Sequence, residues 1–455
     1  MQATVWGGAG EHGRSSYLIE HRQTRVLLDC GVKKEGSGAY PSLCGQTVAS
    51  LDAVFLSHAH EDHSMALPLL YKLGYRGPVW TTRATARQLP VYFRAWQQYV
   101  ESRGARLPYE ACHIEAIQYA YLEEAVAPGE WLAISPRLSV CWGRSGHLPG
   151  SVWLLLKLED RIVFFSGDYT AESALLAADR PALPAAEERL KLPSGEGSAQ
   201  ADVQAAYVPG ATVVDLAIID AAYAADPDSQ AQKLEQLKQA VGEALERGET
   251  VLLPVPVFGR GQELLLWAQG TFSGTRIIVE KDLVDAMGDM LDWKQWLRED
   301  AAGRIARGLR YTNMAVVEDD AGRERELNDT STAAIVLTPD GMMQSARCRW
   351  YYDQLRQRGN CRVILTGHLA RGSLGQRLLA EQAGHGTDAP RVSFVRYKVH
   401  QGKPDVSAML DALPAKEAML VHARKPSADV LRTELMEEGY AHLHSLTIGD
   451  TLVVR

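Results

Sequence analysis

The densest chemistry in the chain lies in nine residues, Phe55-Leu56-Ser57-His58-Ala59-His60-Glu61-Asp62-His63. Three histidines and two carboxylates fall within six positions, in a chain of 455 residues with only 13 histidines. Neutral imidazole and carboxylate are donors that zinc and related cations accept. The apolar run Val54 to Leu56 reads as a strand, and a short loop after a strand can aim alternate side chains at two cations. The spacing sends His58 and His60 one way, Asp62 and His63 the other. Surface or capping residues are the competing reading, and it does not account for five donors in six positions.

Further donors follow downstream. His147 stands in Ser145-Gly146-His147-Leu148-Pro149-Gly150-Ser151, where the glycines permit close approach of backbone to a cluster. Alone it would be a hydrogen-bonded loop histidine. Asp168 follows the apolar run Ile162 to Phe165 in Ser166-Gly167-Asp168, where one carboxylate can bridge two cations that would otherwise repel. Alone, a Gly-Asp pair is a turn.

With Asp29 in Leu27-Leu28-Asp29-Cys30-Gly31, this text resembles the metallo-β-lactamase-fold hydrolases, specifically their β-CASP branch of RNA- and DNA-cleaving enzymes. Asp29 matches the first motif, His58 to His63 the second, Gly146 to Ser151 the third and Ser166 to Asp168 the fourth. Asp220 in Ile219-Asp220-Ala221-Ala222-Tyr223 resembles the acidic motif of the β-CASP branch. His400 and His422, 22 residues apart, resemble its two histidine motifs. The stretches Pro256 to Leu264, Thr338 to Met342 and Thr366 to Gly375 resemble its inserted domain. Three departures stand out: Ala221-Ala222 replaces Ser-Thr, Gly402 replaces an aspartate, and Asp168 to Asp220 is longer than the family norm.

The resemblance implies an α/β chain, a metallo-β-lactamase αββα sandwich with an inserted α/β β-CASP domain. The domains expected are 1–226, 227–390 inserted, and 391–455 returning to the first. It implies two zinc ions, with manganese as the alternative. His58, His60 and His147 would hold one, Asp62, His63 and His422 the other, with Asp168 shared. Asp62, Asp168, Asp220 and His400 would be catalytic, and Asp29 would support the ligand loop. The implied activity is a zinc-dependent phosphodiesterase that cleaves RNA, or single-stranded DNA, by a hydroxide activated at the dinuclear site. The extra C-terminal domain of exonuclease relatives is not found, so endonucleolytic cleavage is expected. A small-molecule hydrolase of the same fold and a catalytically silent nucleic-acid-binding subunit are the alternatives.

The elements that must position these residues are legible as apolar runs. Strands are expected at Arg25 to Leu28, Val54 to Leu56, Val152 to Leu156, Ile162 to Phe165 and Ala217 to Ile219, and later at Thr250 to Pro254, Ala334 to Leu337, Arg362 to Thr366, Arg391 to Val399 and Ala418 to Val421. Helices are expected at Pro90 to Ser102, with proline in the first turn, and at Ala231 to Arg247 and Gln262 to Gly270. Ala185 to Gly210, poor in large apolar residues, is expected to be a surface loop. Hydrophobic residues at 46% and charged residues at 23% fit a globular chain rather than a disordered one. No run reaches the ~20 apolar residues of a membrane span, and no signal-peptide pattern opens the chain, so a cytoplasmic protein without a membrane partner is expected. Six cysteines without a CxxC pair predict reduced thiols. A net charge of −8 argues against loose adhesion to nucleic acid, so an RNA or single-stranded substrate needs metal or a local patch. The candidate patch is Gln344 to Ala380, with seven arginines, one acid and the aromatics Trp350, Tyr351 and Tyr352. Whether the chain forms a homodimer is left open.

Overall fold

The computed structural model describes residues 1–184, 213–329, 332–370, 372–382 and 391–455. The loop expected at Ala185 to Gly210 lies outside the described residues. The chain divides into two compact units. One comprises the described residues of Met1–Ala171, Ala178–Pro227 and His400–Arg455, the other those of Glu172–Ala177 and Asp228–Val399.

The first unit holds two seven-stranded sheets. One runs in the order Thr451–Val453, Gln2–Gly7, Ser16–His21, Thr24–Leu28, Ala53–Phe55, Val79–Thr81, Tyr119–Tyr121. The other runs Leu443–His444, Ala415–Val421, Val214–Asp220, Arg161–Phe165, Val152–Leu158, Leu138–Arg144, Leu132–Ser135. Side chains alternate between the two faces of a strand, and both faces here are apolar. Leu18, Leu27, Val54 and Val79 pack with residues of the helices Leu67–Lys72 and Arg83–Ser102. In the second sheet Leu155, Phe164, Ala217 and Leu420 pack with Lys403–Ala412 and Lys425–Glu437. The alternate residues, Tyr17, Ile19 and Leu28 in one sheet and Leu154, Phe165 and Ile218 in the other, are equally buried. Tyr17 meets Phe165 with ring centroids 5.8 Å apart, so these faces are turned to each other. The result is a layered helix, sheet, sheet, helix sandwich.

The strands that carry candidate site residues run parallel to one another where they pair. Thr24–Leu28 pairs with Ala53–Phe55, and Val214–Asp220 lies between Arg161–Phe165 and Ala415–Val421. Asp29, His58, Asp168 and His422 each follow the C-terminal end of one of these strands, and Asp220 is the last residue of its own. That is where open α/β sheets bind ligands.

The second unit is built on a six-stranded sheet in the order Met314–Val317, Arg276–Glu280, Ala334–Thr338, Thr250–Pro254, Cys361–Leu365, Arg391–Phe394. All its pairings are parallel, and separate apolar clusters cover its two faces. The strand Arg391–Phe394, expected in the segment after residue 390, pairs in register with Cys361–Leu365 and extends this unit to Val399.

One helix differs from expectation. The helix expected to begin at Pro90 runs Arg83–Ser102, with Pro90 inside it. Its start is set by Thr82, whose side chain accepts from the Thr85 amide, and Leu89, Phe93, Trp96 and Val100 recur on one buried face. That burial offsets the hydrogen bond Pro90 cannot make. No helix among the described residues is long and apolar enough to cross a membrane.

Candidate metal centre and active site

His58, His60, His147 and Asp168 bring one donor atom each into a common space, as do Asp62, His63 and His422. His58 Nε2 and His147 Nε2 lie 3.1 and 3.0 Å from His60 Nδ1. Asp168 Oδ2 stands 3.5 Å from both Nε2 atoms. Four tetrahedral donors around zinc would lie about 3.3 Å apart at ordinary Zn–N distances. In the other group Asp62 Oδ2 is 3.6 Å from His422 Nε2 and 3.9 Å from His63 Nε2. Asp168 reaches both groups, its Oδ1 lying 3.3 Å from His63 Nε2 and its Oδ2 3.7 Å from His422 Nε2.

The hydrogen bonds around the donors turn lone pairs toward this space. Ser57 Oγ donates to Asp29 Oδ2 at 2.7 Å, so at 3.0 Å from His58 Nδ1 it accepts that ring's N–H. His58 Nε2 is left with a bare lone pair. Asp29 Oδ2 also accepts a hydrogen bond from His63 Nδ1–H at 2.7 Å, and His63 Nε2 is buried and without a hydrogen-bond partner among the described residues. A carboxylate behind the imidazole is how metal-binding histidines are oriented. Asp29 is itself fully buried and anchored by the Ser57 amide at 2.7 Å.

Titration follows the same logic. Burial, and after it the charge of His63, holds the His58 imidazole well below its usual range, and burial with His147 holds His60 at about 3. Both are neutral donors at physiological pH. Burial also disfavours a charged His63, but Asp168 and Asp62 outweigh it and push that imidazole well up. A proton there occupies the position a cation would take. Burial tends to raise Asp168, and His422, His63 and His400 overcome it and hold the carboxylate well below its usual range. The donor set therefore fits one or two divalent cations: buried imidazoles that converge on one space, of which His58 and His60 are neutral, and Asp168 held ionised beside them.

Local backbone explains the placements. Gly146 has φ of +74°, and a Cβ on it would come 2.2 Å from the Thr170 carbonyl oxygen, so the His147 loop closes against this backbone only with glycine. His422 has φ of +62°, and its amide donates to the Gly8 carbonyl at 2.7 Å.

His400 and Asp220 are brought to the same place. His400 Nδ1 lies 2.9 Å from Asp220 Oδ2 and 3.7 Å from Asp168 Oδ2, and its ring centroid is 4.8 Å from that of His147 and 5.3 Å from that of His422. Burial opposes its charged form, but Asp220 and Asp168 more than offset this and raise its pKa above 6.5. His400 could itself form a ligand group with Asp168 and His422 through Nδ1. The shorter contact to Asp220 makes that nitrogen a donor to a carboxylate instead. Gly402, where the resemblance leads one to expect aspartate, has a packing reason: a Cβ there would lie 2.4 Å from the Asp226 carbonyl oxygen.

Three aromatic side chains at the cluster are not among the residues singled out from sequence. His12 lies 5.7 Å from His422, Tyr92 5.8 Å from His60 and Tyr223 5.2 Å from His400, ring centroid to ring centroid. Tyr223 stands within a quoted motif, and His12 within the glycine-rich opening Gly7 to Gly13. Tyr92 carries no signal beyond its helix.

The arginine patch of the second unit is not the stacking surface its composition suggests. Tyr351 and Tyr352 are buried, and Trp350 packs edge-on to Tyr351 with centroids 5.1 Å apart. Arg347 is paired with Glu280 at 3.1 Å and Asp282 at 2.6 Å, Arg362 with Glu249 at 3.1 Å, and Arg358 bonds the Leu327 carbonyl. Arg371 lies outside the described residues. These side chains hold the unit together.

Residues 9–122 match the family model for the metallo-beta-lactamase superfamily, and residues 264–378 that for the Beta-Casp domain. The chain is 26% identical over 450 residues to Probable RNase MJ4 of Methanocaldococcus jannaschii, covering 97% of each chain. It is 25% identical over 446 residues to Ribonuclease TTHA0252 of Thermus thermophilus, covering 93% of this chain and 94% of that one. With the Transcription termination factor FttA of Cenarchaeum symbiosum it shares 26% identity over 402 residues, 83% of this chain but 57% of that protein. The chain thus spans little more than half that relative's length. A crystal structure of a protein of unknown function from Enterococcus faecalis V583 superposes with a TM-score of 0.55 at 13% identity, over 99% of both chains. That likeness is one of fold.

Proposed function

Since the chain belongs to the metallo-β-lactamase superfamily and carries a Beta-Casp domain, we propose that it is a zinc-dependent ribonuclease that cuts RNA phosphodiesters internally. The observation that carries this reading is the convergence of seven ligand-type side chains with the His400–Asp220 pair in one cluster. The likeness to Probable RNase MJ4 and Ribonuclease TTHA0252 along nearly their whole lengths supports RNA as the substrate.

His58, His60 and His147 would hold one cation, Asp62, His63 and His422 the other, with Asp168 between them. Such a pair, when bound, supplies Lewis acidity toward phosphate oxygens and hydroxide at neutral pH. The protein's own share of the chemistry lies with His400. Its Nδ1–H is donated to Asp220, which fixes the ring and favours its charged form, and leaves Nε2 to meet the scissile phosphate. There it would donate to a phosphate oxygen and pass a proton to the leaving oxygen. Asp29 holds His63 in its ligand tautomer without touching substrate. The complete donor set argues against a silent binding subunit.

The test is cleavage of 5′- and 3′-labelled RNA and DNA oligonucleotides by purified protein, with zinc and with chelator. Internal cuts in RNA that vanish with chelator and return with zinc are expected. Zinc-dependent cleavage of neither polymer would refute the reading.

A further inference from the structure

We infer that Tyr92 is a further catalytic residue, its hydroxyl donating a hydrogen bond to the phosphate of the RNA beside the His58, His60 and His147 group. This rests on the ribonuclease reading above and adds a residue to it. The helix Arg83–Ser102, which carries Tyr92, is fixed onto the loop that carries His147. Thr82 Oγ1 and Thr85 Oγ1 both donate to the Gly150 carbonyl, at 2.8 and 3.0 Å, and Gln88 Nε2 donates to the Pro149 carbonyl at 2.8 Å. One helical turn beyond Gln88 places the next side chain on the same face, and that residue is Tyr92.

Its ring stands nearly perpendicular to that of His60, at 88° with centroids 5.8 Å apart. Tyr92 is only partly buried, and among the described residues its hydroxyl makes no hydrogen bond. Tyrosine hydroxyls that come to rest in such partly apolar surroundings ordinarily find a partner. A phenol is protonated at neutral pH and so can donate to an anion. The helix is tied at three points to one ligand loop, and the ring that carries the donor lies beside a ligand-type histidine from another. Such a donor is held in place before substrate arrives, which is what stabilisation of a phosphate's developing charge requires.

Tyr92→Phe keeps the ring and removes only the hydroxyl. Loss of one hydrogen bond to a charged group predicts a fall in kcat on RNA of roughly ten- to a hundredfold. A small chromogenic phosphodiester should show a parallel fall, with bound metal and melting temperature as in wild type. Wild-type cleavage by Tyr92→Phe would overturn the assignment while leaving the ribonuclease reading intact. So would loss of metal or of stability, which would make the hydroxyl structural, and so would a loss confined to RNA, which would move the contact to sugar or base. A wild-type protein that cuts no RNA would remove the underlying reading and this inference with it.

Discussion

His63 shows how much of the site is decided by single protons. Its Nδ1–H is held by Asp29, so the nitrogen facing Asp168 is the one that offers a lone pair when a cation displaces its proton. Asp29→Ala should therefore weaken metal binding at the Asp62, His63 and His422 group by about ten- to a hundredfold, read by competition with a chromogenic chelator, although Asp29 is no ligand. His400→Ala should behave in the opposite way. Metal content by elemental analysis should stay the same while RNA cleavage slows by about 10²- to 10⁴-fold, the range typical of a lost positioned acid. Equal metal loss in the two variants would mean that His400 is a ligand. At this scale the sequence was informative where donors of one chemical type crowd together, as in His58 to His63. Tyr92 was illegible because a tyrosine among helical residues looks the same whether it faces solvent, core or substrate, and only the clamp on Gly150 tells which.

Elements were read well where their apolar period was unbroken, and less well where charge or proline intervened. The strands that precede Asp29 and Asp168, and the one that ends in Asp220, are short runs buried on both faces, a pattern few other structures produce. Pro90 predicts a helix start because proline is tolerated there, yet tertiary burial of Leu89, Phe93 and Trp96 carries the helix straight through it. The arginine-rich helix Ala346–Arg358 misled for a different reason: its partners are distant in sequence. Glu280, fully buried at the end of its strand, accepts from Arg323 at 2.8 and 2.7 Å and from the Tyr351 hydroxyl at 2.9 Å, with Arg347 beside it. Removing one partner of a buried pair strands the other's charge. Arg323→Ala should thus cost about 3 kcal/mol or more of the second unit's stability in denaturant unfolding. An unchanged unfolding midpoint would show that water reaches Glu280 after all.

At the scale of the whole chain, the donor set predicts close to two transition-metal equivalents in protein purified without chelator, and roughly one after combining His58→Ala with His60→Ala. Elemental analysis showing no bound metal would count against the entire centre. The sequence shows a second run of strands and helices after residue 227 but carries no signal for where that run closes. Arg391–Phe394 is too short and polar to reveal which sheet it joins. The donors are spread from His58 to His422, with Asp228–Val399, the larger part of the second unit, intervening between Asp220 and His400. Synthesis proceeds in that order, so the ribosome releases the first histidine group and Asp168 long before His400 and His422. The strand Ala415–Val421 must then lie down beside Val214–Asp220 before the final imidazole arrives. If the proposed activity is right, a nascent chain is unarmed for nearly all of its translation, and the message being read is safe from the product it encodes until the last strands are in place.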